Sequence, residues 1–307
     1  MSRIAFIFPG QGAQSAGMGK DFYEKSSSAR EIFDTASDLL QLDMPALCFE
    51  ENDRLDLTEY TQAALVTTSL AMTQAVCEKG LFPAVTAGLS LGEYCAVVTA
   101  GAMGFPDAVT AVRKRGILMQ NAVPQGVGSM AAVIGMEADR IEAVIAAIEG
   151  VEIANYNCPG QIVITGLAEG VATAGEQLKA AGAKRVLPLN VSGPFHSSLL
   201  QEAGRELAEV LAPIEIGALK IPYAANVTGE MVTDSSAVKE LLARQVAASV
   251  RWQQCVETMI AEGIDTFVEI GPGKSLSGFV KKINRDVNLY NIASWEDMER
   301  VTGELIC

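Results

Sequence analysis

The sequence predicts a mixed α/β protein, one large domain interrupted by a small one. Three observations carry this expectation. Short apolar runs that end in glycine turns alternate with helical stretches. Over residues 124–191 the rhythm changes to strand-helix-strand-strand-helix-strand. The flanking segments, 1–123 and 192–307, return to the first rhythm and are expected to fold together.

Arg3–Phe8 (RIAFIF) reads as a buried strand that ends in Pro9-Gly10-Gln11-Gly12. Ile32, Phe33, Ala36, Leu39 and Leu40 recur at helical spacing, as do Leu65, Thr68, Met72 and Val76. Ala84–Ala87 is a buried strand leading to a turn at Ser90, with a helix from about Glu93. Pro106 suits the first turn of the next helix, which carries Arg113-Lys114-Arg115 and Met119. In the middle segment, Gly126–Gly135, Val151–Ala154, Gln161–Gly166 and Arg185–Asn190 are strands. Ile141, Val144, Ile145 and Ile148 mark one amphipathic helix between them, and Val171, Ala174, Leu178 and Ala181 mark another. That order is ferredoxin-like. Thr266–Ile270 is a further strand, followed by a Gly-Pro turn and a helix.

Composition narrows the function. The net charge is −14, with 23 basic residues against 37 acidic ones. Nucleic-acid binders normally carry a basic patch or stripe, so that class is disfavoured, as is an anionic membrane surface. No run approaches the ~20 apolar residues of a membrane span. The six cysteines (48, 77, 95, 158, 255 and 307) form no C-x-x-C pair and read as reduced packing residues of a cytoplasmic protein.

One histidine occurs in 307 residues, His196, so His-rich metal sites are excluded. Gly88-Leu89-Ser90-Leu91-Gly92 is a G-x-S-x-G string between a strand and a helix, the setting of a nucleophile elbow. It makes the large domain α/β-hydrolase-like. A serine needs an adjacent base to attack at neutral pH. If imidazole supplies it, the base is His196. The bland alternatives are a small-residue turn and a hydrogen-bonded core histidine. Pro9-Gly10-Gln11-Gly12 fails as a dinucleotide loop because Ser15 stands where G-x-G-x-x-G needs glycine. It remains either an oxyanion loop or a plain turn. Gly271-Pro272-Gly273-Lys274-Ser275 fails as a phosphate loop because Val268 stands where the first glycine belongs. Arg113-Lys114-Arg115 is either a solvated helix face or contains a carboxylate clamp, and spacing does not choose.

Taken together, the strings FPGQGAQ (8–14), GLSLGEY (88–94), RGILMQ (115–120), NYNCPGQIVITG (155–166), VSGPFHSSLL (191–200), NVTGE (226–230), QVAASVRW (245–252) and EIGPGKSLSG (269–278) resemble the bacterial malonyl-CoA:acyl-carrier-protein transacylases. The resemblance runs from Phe6 to about Ser294. It implies that Ser90 accepts the malonyl group as an ester and that His196 is general base and then acid. It also implies an oxyanion hole from the amides of Gln11 and Leu91, an Arg115 clamp on the malonyl carboxylate, and a carbonyl oxygen of Gln245 holding His196. Gln62, Met119, Asn155 and Phe195 are implied to shape the pocket, with Phe195 crowding an α-methyl branch. Malonyl-CoA and an acyl carrier protein are the implied partners, coenzyme A entering as substrate rather than cofactor. A monomer is expected, with no cofactor and no metal. Lys184-Arg185 and Lys281-Lys282-Arg285 are the candidate docking cations for an acidic carrier. One departure is Leu89, where many members carry histidine. The rival readings are a serine hydrolase, a non-catalytic carrier-binding module and a loading acyltransferase of polyketide synthesis.

Overall fold

The computed structural model describes residues 2–306 apart from Ser192. Met1, Ser192 and Cys307, where three expected domain limits and the sixth cysteine fall, lie outside the described residues. The strands are β1 (Ile4–Phe8), β2 (Val85–Gly88), β3 (Gly128–Ile134), β4 (Val151–Cys158), β5 (Gln161–Leu167), β6 (Arg185–Pro188), β7 (Tyr223–Ala224), β8 (Met231–Val232), β9 (Thr266–Ile270) and β10 (Asn288–Ile292).

They form two sheets. The larger has the order β10-β9-β1-β2-β7-β8 and is parallel except for the β7–β8 pair. Its central strands are apolar because helices cover both faces: Phe6, Phe8 and Val268 belong to one core, and Ala5, Ile7 and Phe267 to the other. On the first face lies the helix Thr58–Glu78, buried nearly all round. In such a sheet, ligands bind beyond the carboxyl ends of the strands. There the chain leaves β1 into Pro9–Gln11, leaves β2 into Leu89–Leu91, and leaves β9 toward the helix Ser275–Ile283.

The smaller sheet is antiparallel with the order β4-β5-β3-β6, the ferredoxin-like arrangement. Strand alternation divides its faces. Ala131, Val133, Ile162 and Ile164 pack under the helices Ala138–Ile145 and Ala168–Ala180. Met130, Ala132 and Val163 point the other way, toward the large sheet. In β4 the register shifts between Ile153 and Asn155. That bulge aims Asn155 at the cleft between the sheets, and Asn157, at a second shift between Tyr156 and Cys158, lines the same cleft. Tyr156 N–H donates to Val250 O at 2.9 Å and Val250 N–H to Ala154 O at 2.8 Å, so β4 is bonded to the chain just after Gln245.

β7, β8 and β10 go beyond the sequence expectation. β7 and β8 have two residues each, and β10 is a half-exposed edge strand without clean alternation. The strand expected at Arg185–Asn190 ends at Pro188. The five described cysteines are free; burial pushes the Cys48 thiol up to about 12 and the Cys77 thiol to about 11, which suits packing rather than reactivity. Among the described residues, no helix is long and apolar enough to cross a membrane.

Candidate active site

Ser90 sits between β2 and the helix Gly92–Thr99 at φ 51°. A serine in the left-handed region is strained, and such strain persists only where the surroundings hold it. The two glycines of the string make the turn possible. A Cβ on Gly88 would lie 2.0 Å from Gly92 C and O, and one on Gly92 would lie 2.2 Å from Phe8 O. Two side-chain amides then grip the serine backbone. Ser90 N–H donates to Asn226 Oδ1 at 2.6 Å, and Ser90 O accepts from Gln245 Nε2 at 2.8 Å. Asn226 Nδ2 also donates to Gly88 O at 2.8 Å.

His196 has φ 60°; among the described residues, only Gln41 joins it and Ser90 as a non-glycine at positive φ. Its Nε2 lies 2.7 Å from Ser90 Oγ, and its Nδ1 lies 2.8 Å from the main-chain oxygen of Gln245. A carbonyl oxygen only accepts, so Nδ1 carries the hydrogen and Nε2 is free to take the serine proton. The expected Gln245 contact is therefore made by its backbone, and its side chain does something else.

Arg115 resolves the choice left open in the basic run. Arg113 pairs with Glu59 at 2.8 Å and lies over the Tyr60 ring, and Lys114 is exposed. Arg115 is 1% exposed. Its NH1 donates to Gln62 Oε1 at 2.9 Å, and its NH2 donates to Gln245 Oε1 at 2.8 Å and to Ser90 Oγ at 3.2 Å. No described carboxylate pairs with it, and its Nε has no partner. A buried cation surrounded by neutral dipoles is costly and is a ready receptor for an anion. Gln62 is set in turn by Met119, whose sulfur accepts from Gln62 Nε2 at 3.6 Å.

Every expected site residue except Gln245 lines one cavity of about 260 Å³. Leu89, Leu276 and Phe279 give it an apolar side, and Asn155, Asn157 and Gln161 a polar one. Among the described residues, no hydrogen bond occupies the backbone N–H of Gln11 or Leu91. Both amides are free to receive an oxyanion beside Ser90.

A family model described as an acyl transferase domain matches residues 5–300. The chain belongs to the acyl transferase family. It is 48% identical to the malonyl CoA-acyl carrier protein transacylase of Bacillus subtilis (strain 168) over 304 residues, 97% of this chain and 96% of that relative. The crystal structure of the malonyl CoA-acyl carrier protein transacylase from Clostridium perfringens matches this acyl transferase with a TM-score of 0.96 at 42% identity, covering 99% of this chain and 98% of that one. A malonyl-transacylase in complex with its type II PKS acyl-carrier protein gives a TM-score of 0.96 at 38% identity, covering 99% of this chain and 100% of that one.

Electrostatics sharpen the site of this acyl transferase. Burial, and then the Arg115 charge, hold the His196 imidazole down at about 4. It is neutral through the physiological range and available as a base. The kcat/KM for acyl-CoA reports the free enzyme. It is expected to stay flat from neutrality downward and to halve near pH 4; an acid limb near the ordinary value of 6.5 would contradict this. Because the folded pKa is depressed, His196 also contributes stability above 6.5 that is lost as pH falls toward 4. Assaying again after return to neutral pH separates protonation from unfolding.

Two residues escaped the sequence reading although their strings were noted. Asn226 opens NVTGE and Glu93 is the sixth residue of GLSLGEY. Both are fully buried behind Ser90. An acid three residues after the candidate nucleophile, at the head of an otherwise largely apolar helix, was the available signal for Glu93; Asn226 had none.

Proposed function

We propose that the chain transfers the malonyl group of malonyl-CoA to the phosphopantetheine thiol of an acyl carrier protein, through an ester on Ser90. The observation that carries this reading is the buried Arg115, with which no described carboxylate forms an ion pair, in contact with Ser90 Oγ at 3.2 Å. In a malonyl thioester the carboxylate carbon lies two bonds, about 2.5 Å, from the attacked carbonyl carbon. A cation that close to the nucleophile suits a short acyl chain with a terminal carboxylate.

In this mechanism the malonyl carboxylate takes the Arg115 guanidinium as a bidentate partner. Ser90 Oγ attacks the thioester carbon while His196 Nε2 takes its proton. The oxyanion rests on the Gln11 and Leu91 amides, and a lost donor of this kind costs about 3–4 kcal/mol. The tetrahedral intermediate collapses, His196 gives the proton to the leaving sulfur, and coenzyme A departs. The carrier thiol then enters, loses its proton to His196 and attacks the ester, restoring Ser90. This is ping-pong transfer.

The acceptor reading draws support from the relative solved with its carrier protein. The helix Ser275–Ile283 places Ser275, Leu276 and Phe279 on the cavity and carries Lys281 and Lys282 at its far end, where an acidic carrier can dock. The reading needs no bound cofactor or metal and takes the chain as a cytoplasmic monomer. A histidine held by a main-chain oxygen rather than an acid favours acyl transfer over the hydrolase alternative. Malonyl-loaded enzyme offered holo or apo carrier protein tests the acceptor. Discharge onto the holo form alone, much faster than into water, is expected. Equal loss to water with and without the holo carrier would indicate a hydrolase.

A further inference from the structure

We propose that Glu93 is a positioning residue for recognition of the acyl carboxylate, acting through the side-chain amide of Gln245. The proposal rests on the acyl-transfer reading above and adds to it the group that keeps Arg115 correctly dressed.

Gln245 Oε1 faces Arg115 NH2 at 2.8 Å, while its Nε2 donates to Ser90 O at 2.8 Å and to Glu93 Oε2. An amide turned by 180° would aim its NH2 at the guanidinium and its oxygen at two acceptors. The observed direction is the one in which donors meet acceptors at both ends. Ser90 O supplies one of those acceptors and Glu93 the other. Glu93 itself is 0% exposed and receives a second hydrogen from Asn226 N–H at 3.3 Å on Oε1. Two donors therefore converge on one carboxyl group. An isosteric amide at position 93 satisfies only one of them, and the other meets an NH2.

The placement has a reason in the chain. Glu93 lies in the first turn of the helix Gly92–Thr99; burial pushes its carboxyl up to about 8, and the hydrogen bonds from Gln245 and Asn226 work against that rise. From there it ties together Asn226 and Gln245, the two residues that hold the strained Ser90 backbone by its N–H and its C=O. It touches neither the cavity nor a reacting atom, so its effect on substrate choice must pass through Gln245 and Arg115.

The test compares kcat/KM for acylation by malonyl-CoA and by acetyl-CoA, read as intact-protein mass. The proteins are wild type, Glu93→Gln, Gln245→Met and the double variant. Gln245→Met removes the amide and keeps the main-chain oxygen that holds His196. Glu93→Gln is expected to lower the malonyl-to-acetyl ratio roughly 10- to 100-fold, the worth of one hydrogen bond to a charged group. Gln245→Met is expected to lower it as well. In the Gln245→Met background, Glu93→Gln is then expected to change the ratio no further. An unchanged ratio in Glu93→Gln, or an equal further loss in the double variant, overturns the proposal. If Glu93→Gln does not fold, Glu93→Asp, which draws the carboxyl back from Gln245, takes its place in the same cycle, and an unchanged ratio there overturns the proposal. A wild type that shows no preference for malonyl instead overturns the underlying reading of Arg115.

Discussion

Replacing His196 by alanine is expected to slow acylation of Ser90 by roughly 10⁴- to 10⁶-fold, the range seen when a base acting as a unit with its serine is removed. The chain offers no substitute, because it holds no second histidine. Glu93 does not line the cavity, and Arg115 in contact with Ser90 Oγ is a cation that cannot take a proton. The residual rate should reflect the Gln11 and Leu91 amides and substrate binding alone. Rapid-quench measurement of the acyl-enzyme with saturating malonyl-CoA checks this, and a loss of less than about tenfold would remove His196 from the mechanism.

Arg115→Ala is expected to act differently, by inverting selectivity. Breaking a buried charge pair by removing one partner costs about 2–5 kcal/mol, so malonyl kcat/KM should fall roughly 30- to 5,000-fold. Acetyl-CoA has no carboxylate to place, and wild type charges it the penalty of a guanidinium left buried without an anion. Deleting the guanidinium removes that penalty, so acetyl acylation should gain relative to malonyl. The substitution also removes the positive charge that helps depress the His196 pKa, so the acid limb should move up from about 4. Parallel assays with the two donors decide the matter. A uniform loss for both would mean that Arg115 supports the site without reading the substrate.

The Ser90–His196 pairing was legible in the chain for reasons of counting and geometry. A single histidine and a glycine-flanked serine leave few alternatives, and both glycines prove to have no room for a Cβ. The small sheet was legible because its strands are long and its helices amphipathic. Arg115 could not be separated from Arg113 by spacing. The choice is made by packing, since a Cβ on Gly116 would lie 2.8 Å from the backbone of Thr58 and Glu59, fixing which helix face is buried. The Gln245–His196 contact was named only by the resemblance to the family; it is made by a backbone oxygen, which residue identity alone does not reveal. Asn226 and Glu93 act from beneath the elbow, and nothing in a one-dimensional string says that two distant polar residues meet under a serine. The β4 register shifts that place Asn155 and Asn157 on the cavity are likewise irregularities no alternation pattern predicts.

The ester on Ser90 is decided by intact-protein mass after brief mixing with malonyl-CoA, for wild type and Ser90→Ala, with peptide mapping of the adduct. One malonyl group is expected on wild type, mapped to Ser90, absent from Ser90→Ala and discharged when holo carrier protein is added. An adduct that persists in Ser90→Ala, or no adduct on a wild type that still transfers malonyl, would contradict the covalent mechanism.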